Sequence, residues 1–189
     1  MNKKFLLLVW GVAVVAQLGV VARMITTQET ILREGVAYRF RTAPVDPYDA
    51  FRGRYVAIAL EPSVAPRPDG LTHLKRGDEV FVLLGTDTTG YAEILGASVE
   101  RPQTGDYLRV TTSWVQNHEQ MGVRYPMDRY YLPEDEAPRA EQLYREHSRR
   151  GRQDAHVVLK IRSGEAVAED LVIGDRSIRD WLKEDVVDR

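Results

Sequence analysis

The sequence predicts an α+β protein: an N-terminal transmembrane helix followed by a mainly antiparallel β-sheet or barrel-like domain with one surface helix and a C-terminal hairpin. Three observations predict it. Residues 5–22 are an apolar run without a charge. Beyond residue 35, apolar side chains alternate over strand-length segments set apart by turn formers. One stretch, residues 133–151, breaks that alternation with helix signals.

The apolar run, FLLLVWGVAVVAQLGVVA, holds 15 apolar residues in 18; the others are Gly11, Gln17 and Gly19. A helix of this length covers roughly 27 Å, close to the thickness of bilayer hydrocarbon. Lys3 and Lys4 precede it, so the positive-inside rule leaves the N-terminus in the cytoplasm and exports the rest. The run is longer than the apolar core of a cleavable signal, about 7–15 residues. Residues 1–25 therefore read as a signal-anchor, 26–35 as a helical stalk and 36–189 as an extracytoplasmic domain in the periplasm or at the cell surface. Val20-Val21-Ala22 has the small side chain a cleavage site needs, so a secreted soluble domain is the alternative. Gly11 and Gly19 lie eight apart and do not form GxxxG.

Strands are expected at residues 36–42, 54–60, 79–86, 91–100 and 107–114, with turns at Asp46-Pro47, Asp87 to Gly90 and Pro102 to Asp106. Residues 61–70 carry three prolines and read as a loop. The segments flanking Asp87-Thr88-Thr89-Gly90 make one hairpin. Residues 156–162 and 166–173 make another around Ser163-Gly164-Glu165, where glycine supplies the positive φ of a tight turn. In residues 133–151 Pro133 and three acids come first and Arg149-Arg150 last, the charge order a helix dipole favours. Ala137, Ala140, Leu143 and Tyr144 are its apolar positions. A final short helix is anchored by Ile178, Trp181 and Leu182.

Composition removes several chemistries. The 189 residues carry 26 basic and 28 acidic groups and no cysteine. Disulfides, thiolate zinc sites, iron–sulfur clusters and cysteine nucleophiles are excluded, and a formal charge of -2 gives no electrostatic reason to bind nucleic acid. The charge is unevenly spread, because residues 23–189 carry -4.

Asp46-Pro47-Tyr48-Asp49-Ala50-Phe51-Arg52-Gly53-Arg54-Tyr55, followed by the alternating Val56 to Leu60, resembles the signature of the GDYXXLXY protein family: a DP turn, a hydrophobic residue, RG, then D-Y and alternating apolar residues. Gly53 and Tyr55 match, Ile58 replaces Leu, and Arg54 and Leu60 depart from the Asp and the final Tyr. Tyr130-Tyr131-Leu132-Pro133-Glu134 is similar to the family's later aromatic-(V/L)-P-E element, and the hairpin from Val157 to Ile173 to its terminal strands. The resemblance implies a membrane-associated domain and no established reaction. It singles out Asp46, Pro47, Arg52, Gly53, Tyr55, Tyr131, Pro133 and Glu134 as motif positions; the run from Asp46 to Tyr55 reads as a structural turn that fixes strand register, with a ligand-binding loop as the alternative. Gly105-Asp106-Tyr107 lacks the DP and RG elements and reads as an ordinary entry into a strand.

From the residues themselves, Asp46-Pro47 starts a turn, Arg52-Gly53 permits a bend, and Tyr55, Ala57 and Ala59 share one strand face with Val56, Ile58 and Leu60 on the other. His73, His118, His147 and His156 have no zinc-ligand spacing and read as exposed polar side chains. There is no Gly-x-Ser-x-Gly, P-loop or GxGxxG. No metal or cofactor is expected and no catalytic residue is identifiable. The sequence points to a binding or envelope-assembly module, touching membrane lipid through residues 5–22 and a protein partner in the envelope. A membrane-tethered hydrolase is the competing class; it requires two or more of Asp46, Arg52, His118, Tyr131 and Glu134 in one pocket.

Overall fold

The apolar run does not end its helix at the charge of Arg23. In the computed structural model, which describes residues 3–43, 55–68, 74–116, 119–147 and 154–187, α1 runs unbroken over Lys3–Glu34. It is the one helix among the described residues long and apolar enough to cross a membrane. The strands that follow are β1 (Val36–Ala43), β2 (Tyr55–Ala57), β3 (Ala59–Glu61), β4 (Val64–Pro66), β5 (Glu79–Thr86), β6 (Ala92–Ser98), β7 (Tyr107–Gln116), β8 (Gln120–Arg124) and β9 (Arg129–Tyr131). Helix α2 (Ala137–His147), strands β10 (Ala155–Arg162), β11 (Glu165–Ile173) and β12 (Arg176–Ser177) and helix α3 (Ile178–Val187) complete the order.

The strands form two antiparallel five-stranded sheets, ordered β12-β11-β10-β1-β3 and β4-β8-β7-β5-β6, with β2 and β9 as a separate pair. Alternation decides which way each strand faces. In β1, Tyr38, Phe40 and Thr42 are buried while Arg39 and Arg41 are exposed, as a period of two requires. Phe40, Val82, Leu108, Met121, Leu159 and Leu171, drawn from both sheets, are fully buried in one core. The sheets meet where the Arg109 N–H donates to the Gly164 carbonyl (2.9 Å) and Leu108 bridges Gly164, which brings the arrangement towards a closed barrel. The Tyr38 hydroxyl also crosses to Asp106 (2.8 Å), and burial with that carboxylate pushes its pKa up to about 12. Asp106 is thus more than an entry residue, because it ties β1 to the second sheet.

Both expected hairpins are present. β10 and β11 turn at Ser163 and Gly164, both with positive φ (53° and 88°), as a two-residue turn matching strand twist requires. The stretch 54–60, expected as one strand, is two. The Ile58 N–H leaves the ladder to donate to the Asp128 carbonyl (2.9 Å), so β2 pairs with β9 and β3 with β1. Burial still alternates through the break, with Val56, Ile58 and Leu60 buried. The expected loop at 61–70 contains β4, an edge strand where Pro66 need not donate to a second neighbour. Helix α2 starts four residues after Pro133, because the Pro133 carbonyl first closes a turn with the N–H groups of Glu136 and Ala137. Its buried residues are Ala137, Ala140 and Tyr144. In α3, Ile178 and Leu182 are buried and Trp181 packs at their edge.

Helix α1 docks on the sheet through its last turns. Among its described side chains only Ile31 is buried. Glu34 pairs with Arg162 (2.8 Å), and Val36 enters the sheet opposite Ile161. The other end of β1, roughly 23 Å away at strand rise, lies under α2, whose Tyr144 hydroxyl donates to the Ala43 carbonyl (3.3 Å).

Candidate functional site

The two motif elements singled out by sequence lie 76 positions apart and meet in one strand pair. Tyr55 stands directly opposite Tyr131, Val56 opposite Tyr130 and Ala57 opposite Arg129. Directly paired residues project to the same face, so Tyr55, Ala57, Arg129 and Tyr131 share one side and Val56 and Tyr130 the other. Val56 and Tyr130 are buried, and burial pushes the Tyr130 phenol up. On the outer side the Tyr55 and Tyr131 rings meet edge-to-face at 5.9 Å, and the Arg129 guanidinium lies 4.7 Å above the Tyr55 ring. A hydrogen bond with Tyr131 and the Asp128 carboxylate (3.2 Å) raise the Arg129 pKa, so the cation is permanent. Tyr131 remains 66% exposed. A large aromatic ring that open, held by a second ring and a cation, is a ready-made contact surface.

Its position follows from register. Ala59 lies opposite Ala43, so the chain running back from Ala59 to Tyr55 continues away from α1. The Tyr55–Tyr131 pair is therefore at the end of the domain opposite the helix junction, next to α2. Leu132 is buried behind it, and Pro133 and Glu134 form the turn into α2. Of the sequence-selected positions, Tyr55, Tyr131, Pro133 and Glu134 come together; Asp46, Pro47, Arg52 and Gly53 lie outside the described residues, as do His73 and His118. Arg129 was not expected, although its spacing of two from Tyr131 marks it as a same-face neighbour on a strand.

A model of the GDYXXLXY protein family matches residues 17–171. The chain belongs to the GDYXXLXY family. The matched region takes in the second half of α1, the whole of both sheets except the C-terminal end, and both strands of the tyrosine pair. No curated protein and no solved structure matches the chain.

A second polar cluster in this GDYXXLXY domain pins the β5–β6 hairpin tip to β1. The Asp87 carboxylate accepts from the Thr89 hydroxyl (2.6 Å), the Thr89 and Tyr91 N–H groups (2.8 and 3.0 Å) and Arg41 (3.0 Å), which hold it well below the usual carboxylate range. Arg41 also lies 4.1 Å over the Tyr91 ring, and Tyr91 meets the His156 ring edge-on at 5.6 Å. His156 is thus buried, contrary to the expectation of exposure, because the distant hairpin tip covers it. His147 is engaged as well, its Nδ1 2.9 Å from the Leu143 carbonyl. Among the described residues no group of three or more His, Asp or Glu could hold a metal.

Burial, then the nearby Arg39 charge, lowers the His156 pKa, against a weaker opposing pull from Asp170 and Asp175. The unfolded chain therefore binds a proton that the folded one resists. His156 contributes full stability above its unfolded value of about 6.5, and that contribution is lost as pH falls towards and through the lower folded value. Urea midpoints measured from pH 7.5 to 5 should fall for the native chain and fall less for His156→Gln. Equal slopes in the two proteins would contradict this assignment.

Proposed function

We propose that this GDYXXLXY protein is a membrane-anchored binding module: α1 spans the membrane with its N-terminus in the cytoplasm, and the sheet domain outside presents the Tyr55–Tyr131–Arg129 patch to a protein partner in the envelope. The observation that carries the reading is the pairing of the two motif elements into an exposed aromatic and cationic surface at the end remote from α1. Tyrosine and arginine are the side chains that most often concentrate binding energy in protein interfaces, because they bury large rigid area and keep a polar end for hydrogen bonding. The uncharged run of α1 behind Lys3 and Lys4 supports the anchor and its orientation. The partner chemistry that fits is a peptide segment offering an apolar or aromatic side chain to the rings and a carboxylate or carbonyl to Arg129.

A photoreactive benzoylphenylalanine at position 131 of the full chain should give a discrete protein adduct in intact cells. The adduct should disappear with Tyr55→Ala or Arg129→Ala, while the same probe at the exposed Leu95, on β6 of the other sheet, gives none. Because Tyr131 is largely exposed, the probe itself should change the unfolding free energy by no more than about 0.5 kcal/mol. Identical adducts from positions 131 and 95, or none from 131, would contradict the proposal.

A further inference from the structure

Among the described residues, strand β9 is bonded along one edge only, to β2. We infer that its other edge takes an extended segment of the partner protein as an added antiparallel strand, with an apolar side chain of that segment seated beside the Tyr131 ring. The inference rests on the binding role proposed for the Tyr55–Tyr131–Arg129 patch and names how the partner is held there.

Hydrogen-bond phase is the first support. In an antiparallel pair every second residue turns both its N–H and its C=O to the neighbour, and the residues between turn theirs away. The Ile58 N–H donates to the Asp128 carbonyl (2.9 Å), which puts Ile58 and Asp128 in the bonded phase and, two residues on, Val56 and Tyr130. Arg129 and Tyr131 therefore point their backbone N–H and C=O away from β2. Among the described residues no strand pairs with that side of β9 and no backbone group bonds to it. The four groups stand at two positions about 6.8 Å apart, twice the rise of a strand, a spacing that the backbone of another extended chain matches.

The other sheet ends are blunted in ways β9 is not. β4 ends on Pro66, β3 runs into Pro62, β12 has two residues, and β6 bulges at Leu95, whose side chain folds over Gly85. β9 contains no proline and no bulge. Its one charge does not guard the edge, because the Arg129 guanidinium is held over Tyr55 and paired with Asp128. That side chain is already engaged, so the edge selects a backbone and not an acidic side chain.

Register then dictates the segment. Arg129 and Tyr131 can each exchange both bonds with one residue of an antiparallel neighbour, four bonds in all. Paired residues share a face, so the residue opposite Tyr131 stands beside its exposed ring. The next residue turns to the buried side with Tyr130, and the one after lies opposite Arg129. The sequence that fits is apolar or aromatic, then apolar, then small and polar. A second copy of the chain does not fit. β1 leads away from α1, β3 is antiparallel to β1, and β9 is antiparallel to β2, which leads into β3, so β9 also points away from α1. A copy joined antiparallel at β9 would carry its own α1 at the far end, and one bilayer could not hold both anchors.

The test uses the full chain in lipid nanodiscs and the peptide Ser-Thr-Phe-Val-Thr-Ser, blocked at both ends, with hydrogen exchange read at single amides. Without peptide, the Arg129 and Tyr131 amides should exchange at least tenfold faster than that of Tyr130. Millimolar peptide should slow both at least fivefold and leave the β5–β6 hairpin unchanged. Methylating the peptide nitrogen of Phe, or of the Thr that follows Val, should abolish this protection. Methylating that of Val, which points away from β9, should keep it, and Asp in place of Phe should weaken binding at least fivefold. Arg129 and Tyr131 amides already as slow as Tyr130 in the free chain would show a covered edge and overturn the inference, as would absent protection or protection indifferent to which nitrogen is methylated. The photo-adduct at position 131 reads the patch separately. An adduct from a chain whose β9 edge is covered or unresponsive refutes strand addition alone, and absence of the adduct refutes the patch and this inference with it.

Discussion

Replacing Phe40 by alanine is expected to lower the unfolding free energy by about 3–5 kcal/mol, the usual range for removing a buried phenylalanine. Phe40 is wholly buried in β1, the strand held between β10 and β3, and its ring meets Tyr125 edge-to-face at 5.4 Å. Deleting it removes the transfer free energy of the ring and opens a cavity beneath both sheets, and the aromatic pair adds about 0.5–1.5 kcal/mol beyond area burial. A domain of this size has about 5–15 kcal/mol in total, so Phe40→Ala should leave a marginal fold. Urea unfolding of the full chain in mild detergent, followed by near-ultraviolet circular dichroism, should show a large drop in midpoint at similar slope. A loss under about 1 kcal/mol would mean that the two sheets do not share the core described.

Gly35→Ala should be the most damaging change at the junction. A Cβ built on Gly35 would lie 2.4 Å from the Ile31 carbonyl oxygen and 3.1 and 3.2 Å from the backbone N and O of Ile161. All three neighbours are main chain: one ends α1, where the Gly35 N–H donates to Ile31 (2.8 Å), and the others belong to β10. A flexible side chain could swing aside, but here either the last turn of α1 opens or the helix backs off the sheet. Overpacking of this kind costs about 1–3 kcal/mol and occasionally more. The specific sign is structural. Glu34 should lose Arg162, and amides near Ile31 and Ile161 should exchange faster than those of the β5–β6 hairpin. Unchanged exchange around Ile31 would show that α1 does not depend on this close approach.

These two positions show what sequence reading captures. Phe40 lies in a segment whose alternation is complete, and period two dictates its burial without knowledge of its partners. The β5–β6 and β10–β11 hairpins were legible for the same reason, helped by Gly90 and Gly164 at positive φ. Gly35 carries no such mark, because its role comes from the approach of β10, 126 positions later in the chain. The same non-local cause hid β4, whose prolines look like loop until the partner β8 is present, and the break at Ile58, where alternation continues while the strand changes sheets. His156 looked polar and exposed because nothing near it in sequence announces Tyr91. At the candidate site, resemblance picked out Tyr55 and Tyr131 one by one. Only the register of β2 with β9 brings them into a single surface and adds Arg129.

In the proposed function orientation is central: with α1 in the membrane, the α1 junction faces the bilayer and the tyrosine pair faces away from it. Because the chain has no native cysteine, single donors can be attached at Ser163→Cys or Tyr131→Cys in the full chain without background labelling. Energy transfer from each to acceptor-labelled lipid headgroups in vesicles measures height above the membrane. Transfer should be strong from position 163 and weak from position 131, a difference in height of roughly 20–30 Å set by the length of β1 and the strand pair beyond it. Equal transfer from the two positions, or stronger transfer from 131, would contradict it.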